Sequence, residues 1–254
     1  MRQAYRTALV TGASSGIGES FARLLAARGT DLVIVARRAD LLDRLARELV
    51  ERYRVAVEVL ACDLTDPGAR AEVEGRLRDD PVELLVNNAG YGAFGAFADL
   101  DLDDQLAEIE LNVTALVRLT HAALPGMLER GRGGVLNVAS MAGFAPSPGS
   151  ATYGATKAYV ASFSESLHAE VGGRGVHVTA LCPGFTRTGD DGADLLWLRR
   201  EDVARAGLDA VAAGRALCVP GAQYKAALPA LKILPRALLR AAANRLWQQA
   251  ADTR

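Results

Sequence analysis

Tyr153 and Lys157 stand four positions apart in Tyr153-Gly154-Ala155-Thr156-Lys157. On a helix that spacing places both side chains on one face, so a phenol and an ammonium point into the same volume. A free tyrosine titrates near pH ~10, too high for ready proton exchange at neutral pH. A fixed positive charge nearby favours the phenolate and lowers that value. The pair can then serve as general acid or base for a carbonyl/alcohol couple. By itself the spacing also describes an ordinary helix surface, so the rest of the chain must decide between the two.

A second constellation lies near the start. Thr11-Gly12-Ala13-Ser14-Ser15-Gly16-Ile17-Gly18 sits between an apolar run, Thr7–Val10, and a helical repeat of Ile17, Phe21, Leu24 and Leu25. Glycines let a backbone turn tightly and approach a pyrophosphate, and the helix start offers unpaired N–H groups and a positive dipole end. The spacing is G-x-x-x-G-x-G, not the G-x-G-x-x-G of longer dinucleotide folds. Ser14 or Ser15 can alternatively cap the helix, with the glycines only making a turn. The position at the first strand-to-helix junction favours the phosphate site. At the tip of the second strand a carboxylate would bind the adenosine ribose and repel a 2′-phosphate. This chain reads Ala36-Arg37-Arg38 there, with Asp31 at the wrong end of the strand and Asp40 beyond it. An arginine fork can grip a phosphate, and one of the two is expected to be only a solvated charge. NADP(H) is thus expected over NAD(H).

The elements that must hold these groups follow from the rhythm of the chain. Short apolar runs at Thr7–Val10, Asp31–Ala36, Val55–Leu60, Val82–Val86, Gly134–Ala139, Val176–Leu181 and Ala216–Val219 alternate with stretches of helical period. Helices are expected after Gly16, around Leu41–Leu49, Pro67–Arg78, Leu102–Arg130, Tyr153–Val171 and Asp202–Ala213. Continuous apolar strands joined by helical crossovers predict a doubly wound parallel α/β sheet of about seven strands, with helices on both faces. One domain is expected. Residues 1–221 form its dinucleotide-binding and catalytic part, and residues 222–254 a basic amphipathic helical extension.

Composition narrows the partners. Half of the 254 residues are hydrophobic and net charge is −1, so no general field attracts nucleic acid. Cys62, Cys182 and Cys218 are scattered, and only His121, His168 and His177 are present, so no metal site is expected. A reducing, cytoplasmic setting is expected, with no signal peptide ahead of the first strand and no membrane span.

Taken together, Thr11–Gly18, Asn87-Asn88-Ala89-Gly90, Asn112, Ser140, Tyr153/Lys157 and Pro183-Gly184 resemble the short-chain dehydrogenase/reductase family, in order and spacing, over nearly the whole chain to residue 221. The resemblance implies a Rossmann-like fold and an oxidoreductase, or ketoreductase, moving hydride between nicotinamide and a carbonyl or secondary alcohol. It implies Tyr153 as acid/base, with Lys157 lowering its pKa and holding the nicotinamide ribose. Ser140 would bond the substrate oxygen, and Asn112 would hold a water linking Lys157 to solvent. Gly12, Ser14, Ser15, Gly16, Ile17 and Gly18 would cradle the cofactor phosphates. Asp63 and Leu64 would meet the adenine, Asn88, Ala89 and Gly90 the adenosine ribose and central sheet, and Pro183, Gly184, Thr186 and Thr188 the nicotinamide side. A homo-dimer or homo-tetramer is implied as well. Asp63 reads equally as a cap of the next helix; Asn87 is expected to buttress the sheet, and His168 to be an exposed or satisfied helix residue. An NAD-dependent alcohol dehydrogenase, or a non-catalytic NADP(H)-sensing protein on the same scaffold, remains open.

The substrate end is less defined. Leu195, Leu196, Trp197 and Leu198 form an apolar cluster within Gly189–Arg200, either a lid over a lipophilic substrate or ordinary packing. Phe94, Phe97, Phe144 and Phe185 are expected to add apolar lining. In the tail, Leu228, Leu231, Leu234, Leu238 and Leu246 recur near helical spacing beside Lys232, Arg236 and Arg240, with Pro229 and Pro235 interrupting. Such a stripe packs on its own protein or a neighbouring subunit more often than on a membrane surface.

Overall fold

The structure, a computed structural model, describes residues 5–80, 82–187 and 196–252. Seven parallel strands form one sheet in the order β3-β2-β1-β4-β5-β6-β7. They are β1 (Thr7–Thr11), β2 (Asp31–Ala36), β3 (Val57–Ala61), β4 (Leu84–Asn87), β5 (Gly133–Val138), β6 (Val176–Leu181) and β7 (Leu217–Cys218). The helices are α1 (Gly16–Ala26), α2 (Ala39–Tyr53), α3 (Pro67–Asp79), α4 (Leu102–Ile109), α5 (Leu116–Glu129), α6 (Ala151–Glu170), α7 (Arg200–Ala212), α8 (Ala222–Ile233) and α9 (Arg236–Asp252).

Both faces of the sheet are buried because successive side chains of a strand point to opposite sides. Ala8 and Val10 of β1 join Leu32 and Ile34 of β2 in one core, under α1, α2 and α7. Leu9, Val33 and Val35 belong to the other, under α3, α5 and α6. This explains why the strands read as unbroken apolar runs rather than alternating ones. Strand ends differ from the apolar runs by a residue or two because pairing sets them: β3 begins at Val57, which registers with Leu32.

Strand order reverses between β1 and β4, so a crevice opens beyond their carboxyl ends. Asn88 ties the two strand ends together: its amide meets Thr11 Oγ1 at 3.0 Å, and its Nδ2 donates to the Thr11 carbonyl at 2.9 Å. Asn87 is the buttress. Its Nδ2 donates to Thr120 Oγ1 and Asn137 Oδ1, and Asn137 in turn donates to Ser164 Oγ. That chain of buried side-chain bonds, not backbone pairing alone, locks β4, β5, α5 and α6.

Two helical expectations change. Leu102–Arg130 is not one regular helix, because a π-helical stretch at Glu110–Ala115 separates α4 from α5. Hydrophobic periodicity does not register one widened turn. In the tail, Pro235 ends α8 and opens α9, whereas Pro229 is carried inside α8. It gives up one backbone donor there.

Candidate active site

The glycine loop is shaped by what cannot fit. Gly12 and Gly16 adopt φ of +68° and +60°. A Cβ on Gly12 would stand 2.8 Å from Asn88 Nδ2, and one on Gly18 only 2.1 Å from the Gly12 carbonyl oxygen. Ser15 occupies the N-cap position of α1 but makes no capping bond. Instead, the hydroxyls of Ser14 and Ser15 both accept from Arg38 Nη2, at 2.9 and 2.8 Å. The capping alternative is therefore replaced by a cross-link from the tip of β2 to the loop. Arg37 is the solvated member of the pair, 74% exposed and 3.9 Å from Asp63 Oδ2.

Asp63 does not cap α3, since Asp66 takes that position by accepting from the Ala69 amide at 2.7 Å. Asp63 Oδ1 accepts from the amide and hydroxyl of Thr65 at 2.9 and 2.7 Å. Burial opposes its charge, but these two bonds and the Arg37 charge outweigh it and hold the carboxyl below its usual range. Ile17, Leu64, Asn88, Ala89 and Gly90 continue the wall of the same cleft.

At the other end, α6 presents Tyr153 and Lys157 to the cleft. Lys157 Nζ donates to the Val138 carbonyl at 2.9 Å and lies 5.6 Å from the Tyr153 ring centroid. Burial pushes the ammonium down to about 8, against the opposing pull of Cys182 and Glu108. Burial also raises the Tyr153 phenol; the Ser140 hydroxyl lowers it in part and Glu108 raises it further. The Ser140 hydroxyl is thus the neighbour that lowers the phenol here, beside an ammonium that is itself desolvated and bonded to a backbone carbonyl. Ser140 follows β5 and heads a 3-10 turn, Met141–Phe144, accepting from the Ala142 amide at 3.2 Å.

Asn112 lies within the π-helical turn, behind the cleft wall. Its Nδ2 donates to the Tyr91 carbonyl at 2.8 Å and to Thr156 Oγ1 at 3.1 Å, and its Oδ1 accepts from the Tyr91 amide. The side chain thus pins the Gly90–Tyr91 segment to α6. Pro183, Gly184 and Thr186 line the cleft after β6, with Thr186 Oγ1 donating to the Gly184 carbonyl at 3.0 Å. Thr188 and Leu195 lie outside the described residues. His168 is satisfied, its Nδ1 lying 2.8 Å from the Val178 carbonyl.

The substrate end is aromatic. Phe94 stands 6.0 Å from the Tyr153 ring, and Phe185 lies 5.4 Å from Trp197. A bridge between Thr186 and Leu198 joins the two stems of the segment after Pro183-Gly184. Phe97 and Phe144 do not line the cleft as expected. Phe97 is largely exposed, and Phe144 packs beneath the tail, with Lys232 over its ring and its carbonyl accepting from Arg236. The two ends form one cleft of about 1200 Å³.

The family model for short chain dehydrogenase matches residues 6–194. The chain belongs to the short-chain dehydrogenase family. Sulfoacetaldehyde reductase 2 of Chromohalobacter salexigens is 42% identical over 214 residues, covering 77% of this dehydrogenase and 84% of that protein. Very-long-chain 3-oxoacyl-CoA reductase of Bos taurus is 37% identical over 185 residues, 71% of this chain. The dehydrogenase spans about three-fifths of that relative's length, 59%. A solved short-chain dehydrogenase from Sphingobium yanoikuyae in complex with NADPH superposes with a TM-score of 0.82 at 39% identity, covering 89% of this chain and 91% of that one.

Three features of the dehydrogenase's site escaped the sequence. Tyr224 of α8 lies against Gly184, where a Cβ would come within 1.9 Å of its ring, and its hydroxyl donates to the Leu196 carbonyl at 2.6 Å and accepts from the Phe185 amide at 3.1 Å. Trp247 of α9 covers Gly149, in the loop that leads into α6. Glu108 is wholly buried behind Ala93. Only Glu108 carried a signal, as an acid on the inward face of α4 in register with Asn112. The two tail aromatics act through tertiary contacts that no local spacing announces.

Proposed function

We propose that this dehydrogenase is an NADP(H)-dependent reductase of lipophilic ketones, aldehydes or acyl carbonyls. One observation carries the reading: a buried phenol beside Ser140 shares a single cleft with a glycine loop bridged by Arg38. Gly12 and Gly18 let the loop pack tightly on itself and on Asn88 at the start of α1, the place that suits a dinucleotide pyrophosphate, and the cleft is large enough for the whole cofactor and a substrate. When bound, the cofactor supplies a hydride equivalent to the carbonyl carbon, leaving an alcohol.

The chain's own residues do the rest. Arg38, held by Ser14 and Ser15, is placed to grip a 2′-phosphate, and no acid at the tip of β2 repels it. Asp63 and Leu64 border the adenine end, and Asn88 to Gly90 the ribose. Ser140 donates to the substrate oxygen and steadies the charge that gathers there. Tyr153, kept neutral by burial, gives that oxygen its proton. Lys157 offers its ammonium to the nicotinamide ribose and recharges the phenol, while Asn112 fixes the wall beside it. Pro183, Gly184 and Thr186 border the nicotinamide.

The substrate end is lined by Phe94, Met141, Phe185 and Trp197, and among the described residues lining it Lys157 is the sole cation. That suits a lipophilic carbonyl, as the name of the bovine relative does, better than a small sulfonate. Leu102, Leu106 and Ile109 of α4 and Tyr159 of α6 are exposed at 40–65%. Such a face fits a homo-dimer or tetramer. Among the described residues no helix is long and apolar enough to cross a membrane, and the three cysteines are free and buried. A cytoplasmic setting accords with this.

Initial rates of NADPH and NADH oxidation, measured over alkyl ketones, 3-oxoacyl thioesters and sulfoacetaldehyde, test the proposal. The expected outcome is preference for NADPH and a kcat/KM that climbs with apolar bulk. Preference for NADH, or for the sulfonated aldehyde, overturns it.

A further inference from the structure

Glu108 is 0% exposed, although nothing in the acid–base reading uses it. It lies one helical turn before Asn112, and the two side chains grip alternate residues of the segment after β4. Asn112 holds both backbone groups of Tyr91, and Glu108 Oε2 accepts from the Ala93 amide at 3.0 Å. Gly92, between them, faces the other way. A Cβ there would lie 2.7 Å from Cδ2 of Tyr153, so the backbone itself forms the floor under the phenol ring. The grip from α4 fixes the height of that floor.

The carboxyl is only half spent. Oε1 is buried and has no partner, and Gln105 Nε2, three residues earlier on the helix, is likewise buried and unpartnered. The charged group acting on Glu108 is Lys157, from α6. Glu108 in turn acts on Lys157 and Tyr153 of α6 and on Tyr91 of the intervening segment. Asp104, on its own helix, faces Tyr91, whose hydroxyl donates to the Asp104 carbonyl. A buried anion that sees one cation and one phenol favours the protonated form of both.

We infer that Glu108 is a positioning residue of the acid–base pair, holding the Gly90–Ala93 floor beneath Tyr153 through the Ala93 amide and setting the charge felt by Lys157 and Tyr153. The inference rests on the acid–base reading of Tyr153. Burial raises the Glu108 carboxyl above its usual range, and the Ala93 bond and Lys157 offset only part of that.

Two substitutions separate the tasks. Glu108→Gln keeps an acceptor for Ala93 and removes the charge; Glu108→Asp keeps the charge and withdraws the acceptor. With Glu108→Gln, the alkaline limb of kcat/KM for carbonyl reduction moves to lower pH by about half a unit or more, at an unchanged NADPH Kd. With Glu108→Asp, that limb stays where it is in the native enzyme while kcat falls about tenfold. If the Gln profile superposes on the native one, the inference is overturned. If Gln does not fold, a Glu108→Asp limb displaced by the same half unit (roughly) overturns it equally. Tyr153→Phe is run alongside. Full turnover by that variant sinks the acid–base reading, whereas a dead Tyr153→Phe with a superposed Gln profile sinks only the role of Glu108.

Discussion

The two ends of the cleft are built by different means. The nucleotide end is made of backbone: positive-φ glycines, a carbonyl packed where no Cβ fits, and Asn88 lacing β1 to β4. The substrate end is made of partly exposed rings on stems joined by one bridge, held from outside by Tyr224 of the tail. Backbone at a strand end is fixed by the sheet and tolerates almost no change. Rings on a loop can be exchanged without disturbing the sheet. On the proposed function, cofactor class is set by parts that cannot vary, and substrate choice by parts that can.

Tyr153 is where the ends meet, and it gives the sharpest break between binding and chemistry. Tyr153→Phe keeps the ring over Gly92 and removes the proton donor. Turnover is expected to fall about a thousandfold or more, with NADPH affinity held within about twofold by fluorescence titration. Comparable losses in both would mean the phenol is only part of the wall. The kcat/KM of the native enzyme for reduction is expected to decline as pH rises through about 8, where Lys157 loses its proton. The same depressed value has a stability consequence. The unfolded chain holds this proton more tightly between about 8 and the ordinary lysine value of 10.5, so the group's contribution to stability rises with pH across that window. A pH series of thermal melts on the cofactor-free enzyme, native against Lys157→Met, isolates that slope.

Within the nucleotide end, two glycines of one loop should behave unequally. Gly18→Ala drives a methyl to within 2.1 Å of the Gly12 oxygen, so NADPH binding is expected to weaken by about a hundredfold and Tm to drop several degrees. Gly16→Ala meets no atom within 4 Å and bears only its φ of +60°. Its cost is about 1 kcal/mol. Equal losses would show that space is not what selects glycine here. Arg38→Ala comes next in size. NADPH affinity should fall about tenfold and NADH affinity should not, as titration of both cofactors reads directly.

What the sequence disclosed follows the same division. The strand runs, the Gly12–Gly18 spacing and the four-residue step from Tyr153 to Lys157 are local patterns, and local patterns survive in one dimension. The absent acid at the tip of β2 pointed to a phosphate, but which arginine faces the loop depends on side-chain direction at a strand end, and Arg38 rather than Arg37 turns inward. The π-helical turn at Asn112 leaves the apolar repeat intact and so leaves no trace in it. The burial of the phenol left no trace, because spacing reports proximity and not desolvation. Phe97 and Phe144 were placed in the cleft by residue type alone; the fold turns one outward and covers the other with the tail.

The smallest expected effect probes the substrate end from its far side. Tyr224→Phe leaves a ring against Gly184 and deletes one hydroxyl, which donates to the Leu196 carbonyl and accepts from the Phe185 amide. Those bonds connect the stems that carry Phe185 and Trp197, so without them the aromatic pair leans more on the Thr186–Leu198 bridge and on its own tilted ring contact. A partly exposed bond of this kind is worth about 1 kcal/mol, which predicts a rise in KM of about threefold to fivefold for bulky ketones. Small carbonyls, which do not reach the rings, should show no change, and neither should NADPH affinity. A uniform loss across substrates would instead mean that Tyr224 acts through the Pro183-Gly184 turn on the nicotinamide side, and the two ends would then be coupled through the tail.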